Sequence, residues 1–132
     1  MANVIYMKRQ AVGDIADVVQ ALRLSDHLSD AELSLVQVIP DQHASVMAPG
    51  NVAALMCFEK YYIRITGFAF ITVMIYQQGS EQMVTIVSFM SKESIFGMFS
   101  ADLSLADLAV RALTEIGFTE IVRSQPNPFY GN

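Results

Sequence analysis

The strongest structural signal in this sequence is a three-stranded antiparallel meander over residues 52–90. Turn dipeptides at Thr66-Gly67 and Gly79-Ser80 separate runs rich in Tyr, Ile, Phe, Val and Thr. If each turn is a two-residue loop, one face carries Ile63, Phe70, Phe89, Tyr61, Thr72 and Val87, and the other carries Tyr62, Ile71, Ser88, Lys60, Val73 and Ile86. Both faces are therefore largely apolar, and each needs a cover.

The need to cover two apolar faces limits how the chain can exist in solution. A sheet with one solvated face alternates apolar and polar residues, and these strands do not. Hydrophobic residues make up 53% of the chain and charged residues 16%, which is too few charges to coat a monomer of 132 residues. Helices can cover one face. For the other we expect a second subunit in a homodimer, with a bound hydrophobic ligand or the apolar loop of residues 95–99 as alternatives.

The N-terminal part of the chain alternates strand and helix signals. Residues 3–10 are rich in Val, Ile and Tyr and predict a first strand. Asp14 and Asp17 then begin a helix whose apolar residues recur at helical spacing. Residues 32–39 predict a further strand, which ends at Pro40 because proline has no N–H for the ladder.

The last regular element is an amphipathic helix near the C-terminus. Ser104 and Asp107 resemble a capping box at its start, and Gly117 supplies its end. The fold predicted from these elements is a two-layer α+β domain with a mostly antiparallel sheet, the order β-α-β-β-β-β-α, and two helices packed on one face. Residues 1–123 form this single domain, and residues 124–132 form an extended C-terminal tail.

Composition and charge argue against several classes of protein. The longest uncharged run, residues 65–80, is too short for a transmembrane helix, and so no membrane span is expected. The N-terminus lacks the pattern of a secretory signal and the single cysteine cannot form an internal disulfide, so we expect a cytoplasmic protein. The eight Lys and Arg residues are scattered through a chain of net charge −5, which disfavours nucleic acid as a partner.

The sequence carries no signature of catalysis or metal binding. Cys57 could pair with His43 or His27 as a thiolate and an imidazole, but it lies in an apolar strand, where free cysteine is typically a buried packing residue. The two histidines lack the spacing that holds a metal. The glycines are isolated rather than grouped in a phosphate-binding loop, and we therefore expect no cofactor.

The candidates for ligand binding are Lys60, Tyr62, Arg64, Phe96 and Phe99. The first three share a strand face by period-two spacing and would present two cations and a phenol to an anionic group. Solvated charges on a strand edge are the more typical outcome of such a pattern. The two phenylalanines lie in a glycine-containing apolar loop, which is either a lid over a pocket or, more simply, a fixed dimer contact.

The part of the chain from Cys57 onward resembles a family of small uncharacterised bacterial proteins with no assigned activity. The resemblance is carried by CFEKYYIR, by TVMIYQQGSEQMVTIVS, and by a serine-containing loop followed by an amphipathic helix. The resemblance therefore rests on an aromatic and charged strand and a hairpin, and it includes no catalytic signature. The resemblance implies an α+β domain and transfers no functional residue to this chain.

The function predicted from the sequence is that of a non-enzymatic, self-associating module. We expect a dimer through the second sheet face, with a small apolar or amphipathic ligand bound between layers or subunits. One alternative is a subunit of a hetero-complex. Another is a small enzyme whose site is assembled only in the fold, from residues drawn from Lys60, Tyr62, Arg64, Glu59, His43 and Cys57.

Overall fold

The computed structural model describes residues 3–10, 12–40, 50–91 and 100–124. Its elements in chain order are β1 (Asn3–Gln10), α1 (Ile15–Leu24), β2 (Glu32–Pro40), β3 (Asn51–Tyr62), β4 (Gly67–Gln78), β5 (Glu81–Met90), α2 (Ala101–Glu115) and β6 (Thr119–Ser124). All strand pairs are antiparallel, and the order across the sheet is β2-β3-β4-β5-β1-β6. The α+β class predicted from the sequence is confirmed.

One face of the sheet, called the covered face below, packs against both helices. Alternate residues of β1, β3, β4 and β5 on this face are buried and share one hydrophobic core with α1 and α2. The larger members of this core are Ile5, Met7, Met56, Phe58, Ile71, Val73, Ile75, Val84, Ile86, Ile15, Leu22, Leu105 and Leu113. Full burial of one such side chain stabilises a fold by about 1.5–3 kcal/mol, so this core is the main source of stability.

Asp14 begins α1 and also joins it to the sheet. Its carboxylate accepts a hydrogen bond from the Ala16 N–H at 3.0 Å, while the Asp17 carboxylate accepts one from the Asp14 N–H at 3.1 Å. This reciprocal pair is a capping box and confirms the predicted start of α1. The Asp14 carboxylate also accepts hydrogen bonds from the backbone N–H of Asn51 at 2.9 Å and from its Nδ2 at 2.6 Å. The start of α1 is thereby fixed against the start of β3.

Arg9 joins several elements at the end of β1. Its Nε donates to Oε1 of the buried Gln82 at 2.8 Å, and its Nη1 donates to the Ile116 carbonyl at 2.6 Å. The guanidinium also lies 4.8 Å from the ring centre of Phe118, a cation–π contact. Gln82 Nε2 in turn donates to the Gly13 carbonyl at 3.3 Å. Arg9 therefore ties the end of α2 and the turn before α1 to β1 and β5.

The helix α2 begins earlier than the sequence pattern predicts. Ser104 and Asp107 lie inside the helix, so the predicted capping box at these residues is wrong. The first turn instead contains Asp102, which is 2% exposed. Its Oδ2 accepts hydrogen bonds from Asn3 Nδ2 at 2.8 Å and from Ser88 Oγ at 3.2 Å. These bonds to β1 and β5 hold the start of α2 against the covered face, which sequence spacing alone does not reveal.

The two hairpins of the meander differ in how well their register was predicted. In the β4–β5 hairpin Phe70 lies opposite Phe89, as a two-residue loop requires, and the prediction is confirmed. In the β3–β4 hairpin Glu59 lies opposite Phe70 in place of the predicted Ile63. The cause is a 3₁₀ turn after β3, followed by Thr66 in a left-handed conformation with φ 46°. The register prediction is wrong by an even number of residues, so the strand residues keep their predicted faces.

The sixth strand was not predicted from the sequence. Its segment, TEIVRS, is short and alternates irregularly, and it pairs with β1 through a bulge. Ser124, predicted to begin an extended tail, is the last residue of β6 and lies opposite Val4. The rest of that predicted tail, residues 125–132, lies outside the described residues.

The two edge strands of the sheet are protected to different degrees. β6 carries Glu120 and Arg123, and its bulge interrupts the ladder. β2 has no charged side chain between Glu32 and its last residue, Pro40. Charges, bulges and prolines discourage further strand pairing at an edge. The register of β2 shifts between Leu33 and Leu35 and between Ile39 and Pro40, but between its two ends β2 has neither a charge nor a proline.

Replacing Asp14 by Ala should lower the free energy of unfolding by about 1–2 kcal/mol at pH 7, because α1 loses its cap. Burial raises the pKa of Asp14, but hydrogen bonds from Asn51, Ala16 and Ile15 outweigh it and hold the pKa below 3.8, the ordinary value. A carboxyl with a lowered pKa in the fold contributes stability above its unfolded pKa, and this contribution is lost as the pH falls through the folded pKa.

The difference between the Asp14→Ala variant and the wild type should therefore shrink as the pH falls below about 4. Urea unfolding of both proteins at pH 7 and at about pH 3 measures this. Asp30→Ala, in the exposed turn before β2, is the matched control and should change stability by less than about 0.5 kcal/mol. A deficit that is equal at both pH values would contradict the role given to the Asp14 carboxylate.

Candidate functional site

The second face of the sheet, called the open face below, carries the strand residues that point away from the core. The strand register aligns these residues in rows across the sheet. Its two central rows are Leu35-Cys57-Thr72-Val87-Val4-Ser124 and Gln37-Leu55-Met74-Thr85-Tyr6-Val122. None of these residues is charged, and none is fully buried. The sequence prediction that the meander has two apolar faces is thus confirmed.

Four aromatic residues form a continuous cluster at one end of the open face. The ring centres of Tyr61 and Phe68 lie 5.4 Å apart in an edge-to-face arrangement, and those of Phe68 and Phe70 lie 6.1 Å apart. Phe70 stacks on Phe89 at 5.1 Å with the planes inclined by 20°. Tyr61 is 51% exposed and Phe89 is 44% exposed. Exposed aromatic clusters are common at surfaces that bind partners or ligands, so this end of the open face is a candidate binding surface.

The charged residues of the open face lie towards its margins in the described part of the chain. Lys8 and Glu81 form an ion pair of 3.5 Å at one end, with both side chains about half exposed. Glu32 and Glu59 lie opposite each other on β2 and β3, beside the aromatic cluster. An apolar centre with a polar rim is the distribution found in protein–protein interfaces.

A second candidate site lies on the covered side, where the end of β3 meets α2. A concavity of about 300 Å³, called the α2 cleft below, opens between these two elements. Its lining residues are Lys60, Tyr62, Ser104, Asp107, Leu108 and Arg111. Lys60 and Tyr62 are two positions apart on β3 and therefore lie on the same face of the strand. The other four lie on one face of α2, because they are three, four and seven positions after Ser104.

The groups in the α2 cleft are mostly cationic or apolar. Lys60 Nζ lies 5.1 Å from the ring centre of Tyr62, within cation–π range. Burial raises the pKa of the Tyr62 phenol above its ordinary value. The Asp107 carboxylate is bound by Arg123 of β6 at 2.8 Å, and the same Arg123 nitrogen contacts Glu120 at 2.8 Å.

The five predicted ligand-binding residues do not form one group. Lys60 and Tyr62 meet in the α2 cleft, as their shared strand face predicted. Arg64 lies in the 3₁₀ turn after β3, so the prediction that it continues the strand face is wrong. Phe96 and Phe99 lie outside the described residues.

The residues considered for a catalytic site are separated by the sheet. Cys57 and Glu59 lie on the open face, whereas Lys60 and Tyr62 lie on the covered side. Cys57 Sγ contacts Thr72 Oγ1 at 3.8 Å and is not fully buried, so the prediction that it packs within the core is wrong. Of the two candidate bases for Cys57, His27 contacts Glu115 at the end of α2, and His43 lies outside the described residues.

The sequence does not predict the four cleft residues on α2, although one signal for them is visible in it. The spacing of Ser104 and Asp107 predicts a helix cap, whereas both residues lie within α2, as does Arg111. Their positions on α2, with Leu108, repeat at helical spacing and define one face of the helix. That this face meets Lys60 depends on how α2 packs on the sheet, which the spacing does not contain.

His27, Cys57 and the acidic residues offer no metal site in the described residues. Across residues 3–10, 12–40, 50–91 and 100–124, no group of three or more His, Cys, Asp or Glu side chains could hold an ion. His27 Nε2 instead contacts Glu115 Oε1 at 2.6 Å, which joins the segment after α1 to the end of α2.

No helix within residues 3–10, 12–40, 50–91 and 100–124 is long and apolar enough to cross a membrane. The chain matches no known family model and no curated protein.

The two faces of the sheet should respond differently to removal of a phenyl ring. Phe58 is 3% exposed on the covered face, so Phe58→Ala should cost about 3–5 kcal/mol of unfolding free energy. Phe89→Ala on the open face loses a stacked ring and should cost about 0.5–1.5 kcal/mol. Urea unfolding at a concentration where light scattering gives the monomer mass makes the comparison. If the two substitutions lowered the unfolding free energy of the monomer equally, Phe89 would be as buried as Phe58, and the open face would be covered by part of the same chain.

Proposed function

We propose that this chain is a two-layer α+β module that assembles as a homodimer through the open face of its sheet. The observation that carries the proposal is the pair of central rows, which cross all six strands without a charged side chain and without full burial. Eight of the twelve residues in these rows are apolar. Large, contiguous and mainly apolar surfaces are rare on monomers and are typical of association sites. The chain is then an assembly or scaffolding component rather than an enzyme.

The size of the open face supports a second copy of the chain as its cover. Six strands spaced about 4.8 Å apart, each about eight residues long, present a face on the order of 750 Å². A standard interface buries about 800 Å² on each partner, so one open face matches one side of such an interface. A symmetric dimer uses the same patch twice and covers both copies at once.

The alternative covers fit this face less well. A five-residue segment such as 95–99 spans about 17 Å when extended, whereas the six strands span about 29 Å. A small apolar ligand is usually held in a concave pocket, and the central rows lie on a sheet face. The separation of Cys57 and Glu59 from Lys60 and Tyr62 also favours a non-enzymatic role.

The first test of the dimer uses a charge placed at the centre of the open face. Met74 is 46% exposed and lies in a central row. Met74→Glu should leave the far-ultraviolet circular dichroism spectrum unchanged and raise the dimer dissociation constant about a hundredfold or more, because each copy would bury an unpaired carboxylate. Light scattering over a concentration series measures the mass.

The control for this substitution is Leu24→Glu, which places the same charge on an exposed apolar residue at the end of α1. It should leave the dimer intact. A wild-type chain that remains monomeric at high micromolar concentration, or a dimer that both substitutions weaken equally, would overturn the proposal.

The single cysteine provides a second, independent test because Cys57 lies in a central row of the open face. Its rate of alkylation by iodoacetamide should fall as the wild-type concentration rises, since dimerisation covers the thiol. In the Met74→Glu variant the rate should not depend on concentration. Slow alkylation that persists in the monomeric Met74→Glu variant would contradict the dimer as the cover of Cys57. In that case the chain is unfolded, refolded and alkylated again. Faster alkylation after refolding would show that a retained ligand had covered the thiol, and equally slow alkylation would show that a segment of the same chain covers it.

A further inference from the structure

The α2 cleft lies on the opposite side of the sheet from the open face, and its chemistry is different. Lys60 projects from the side of β3 that faces the helices, where long cations are uncommon. Its ammonium group lies over the Tyr62 ring. Among the described residues Lys60 makes no ion pair, although Asp107 lines the same cavity.

Asp107 does not neutralise Lys60 because it is bound to Arg123. The contact between Arg123 Nη2 and Asp107 Oδ1 is 2.8 Å, and Glu120 lies at the same distance from that nitrogen. This cluster of one cation and two carboxylates carries a net charge of −1. Lys60 and Arg111 together outweigh it, so the cleft carries a net positive charge in a chain whose total charge is −5.

We propose that the α2 cleft binds a small organic anion, with its oxyanion group between Lys60 and Arg111 and its apolar body against the Tyr62 ring and Leu108. Arg111 is exposed on α2 and makes no ion pair among the described residues, so its guanidinium is available for a carboxylate or a phosphate. Ser104 adds a hydroxyl donor to the same cavity.

The size of the cleft limits the ligand to a small molecule. A volume of about 300 Å³ lies at the lower end of the range for ligand pockets. The ligand class is therefore a carboxylate or a phosphate monoester on a short aliphatic or aromatic body. This site does not depend on the homodimer, since its residues lie on the helix side of the sheet and the central rows lie on the other side.

The test is a titration of the wild-type chain with benzoate, phenyl phosphate and benzyl alcohol, followed by calorimetry or by amide chemical shifts. The two anions should bind and the neutral alcohol should bind at least about tenfold more weakly. Tighter binding of phenyl phosphate would identify phosphate monoesters as the ligand class, and tighter binding of benzoate would identify carboxylates. Equal binding of the alcohol and the anions, or no binding of either anion at about 10 mM, would overturn the proposal.

Three variants locate the binding site. Lys60→Met and Arg111→Met keep most of the side-chain volume and remove one positive charge each, and each should weaken binding of the better anion about tenfold. Arg23→Met removes the same charge from an exposed position in the last turn of α1 and should leave binding unchanged. Equal weakening by Arg23→Met would show a general charge effect and overturn the site.

The outcome for the cleft is separable from the outcome for the dimer. Met74→Glu lies on the open face and should leave anion binding unchanged, while Arg111→Met should leave the solution mass unchanged. Light scattering on the titrated samples records both properties in one experiment. A chain that dimerises without binding either anion would overturn the cleft alone, and a monomer that binds them would overturn the dimer alone.

Discussion

The packing of two helices on the covered face is the interaction on which the rest of the structure depends. The buried residues of β1, β3, β4 and β5 share one core with α1 and α2, and Leu28, Ile65 and Phe118 complete that core. The hydrogen bonds of Asp14, Arg9 and Asp102 all act at the ends of these helices, where backbone groups lack partners of their own. The polar contacts therefore fix the position of the helices, while hydrophobic burial supplies the free energy.

That arrangement leaves the molecule with two chemically distinct surfaces on one sheet. Because side chains of a strand alternate between faces, β3 presents Lys60 and Tyr62 to the helices and Cys57 and Tyr61 to the opposite side. One strand thus contributes a cation to a cleft and a thiol to an apolar surface. The proposed dimer and the proposed anion site share a scaffold without sharing a side chain.

Much of the fold could be predicted because it depends on local patterns. The capping residues of α1 and the two-residue turn between β4 and β5 specify their geometry within a few positions of the chain. The β3–β4 register was missed because Thr66 adopts a left-handed conformation that its residue type does not indicate. The start of α2 was missed because Asp102 is held by residues far away in sequence.

Of the two candidate sites, the open face could be predicted from a local pattern, and the α2 cleft could not. The apolar character of the open face follows from the period-two pattern alone, and it was predicted. The α2 cleft joins Lys60 to Arg111, which lie on different elements, and their meeting depends on where the helix packs. Arg64, which the strand pattern grouped with Lys60, was misplaced because the strand ends at Tyr62.

The unequal edges of the sheet have a consequence for the chain at high concentration or under partial unfolding. Both edge strands have a register irregularity, but β6 also carries charges, whereas β2 presents an uncharged, regularly paired run from Leu35 to Ile39. Such a segment is a template for cross-β growth once its neighbours loosen. We therefore expect any fibrillar aggregation of this chain to begin at the β2 edge, and a lysine in the middle of β2 to slow it.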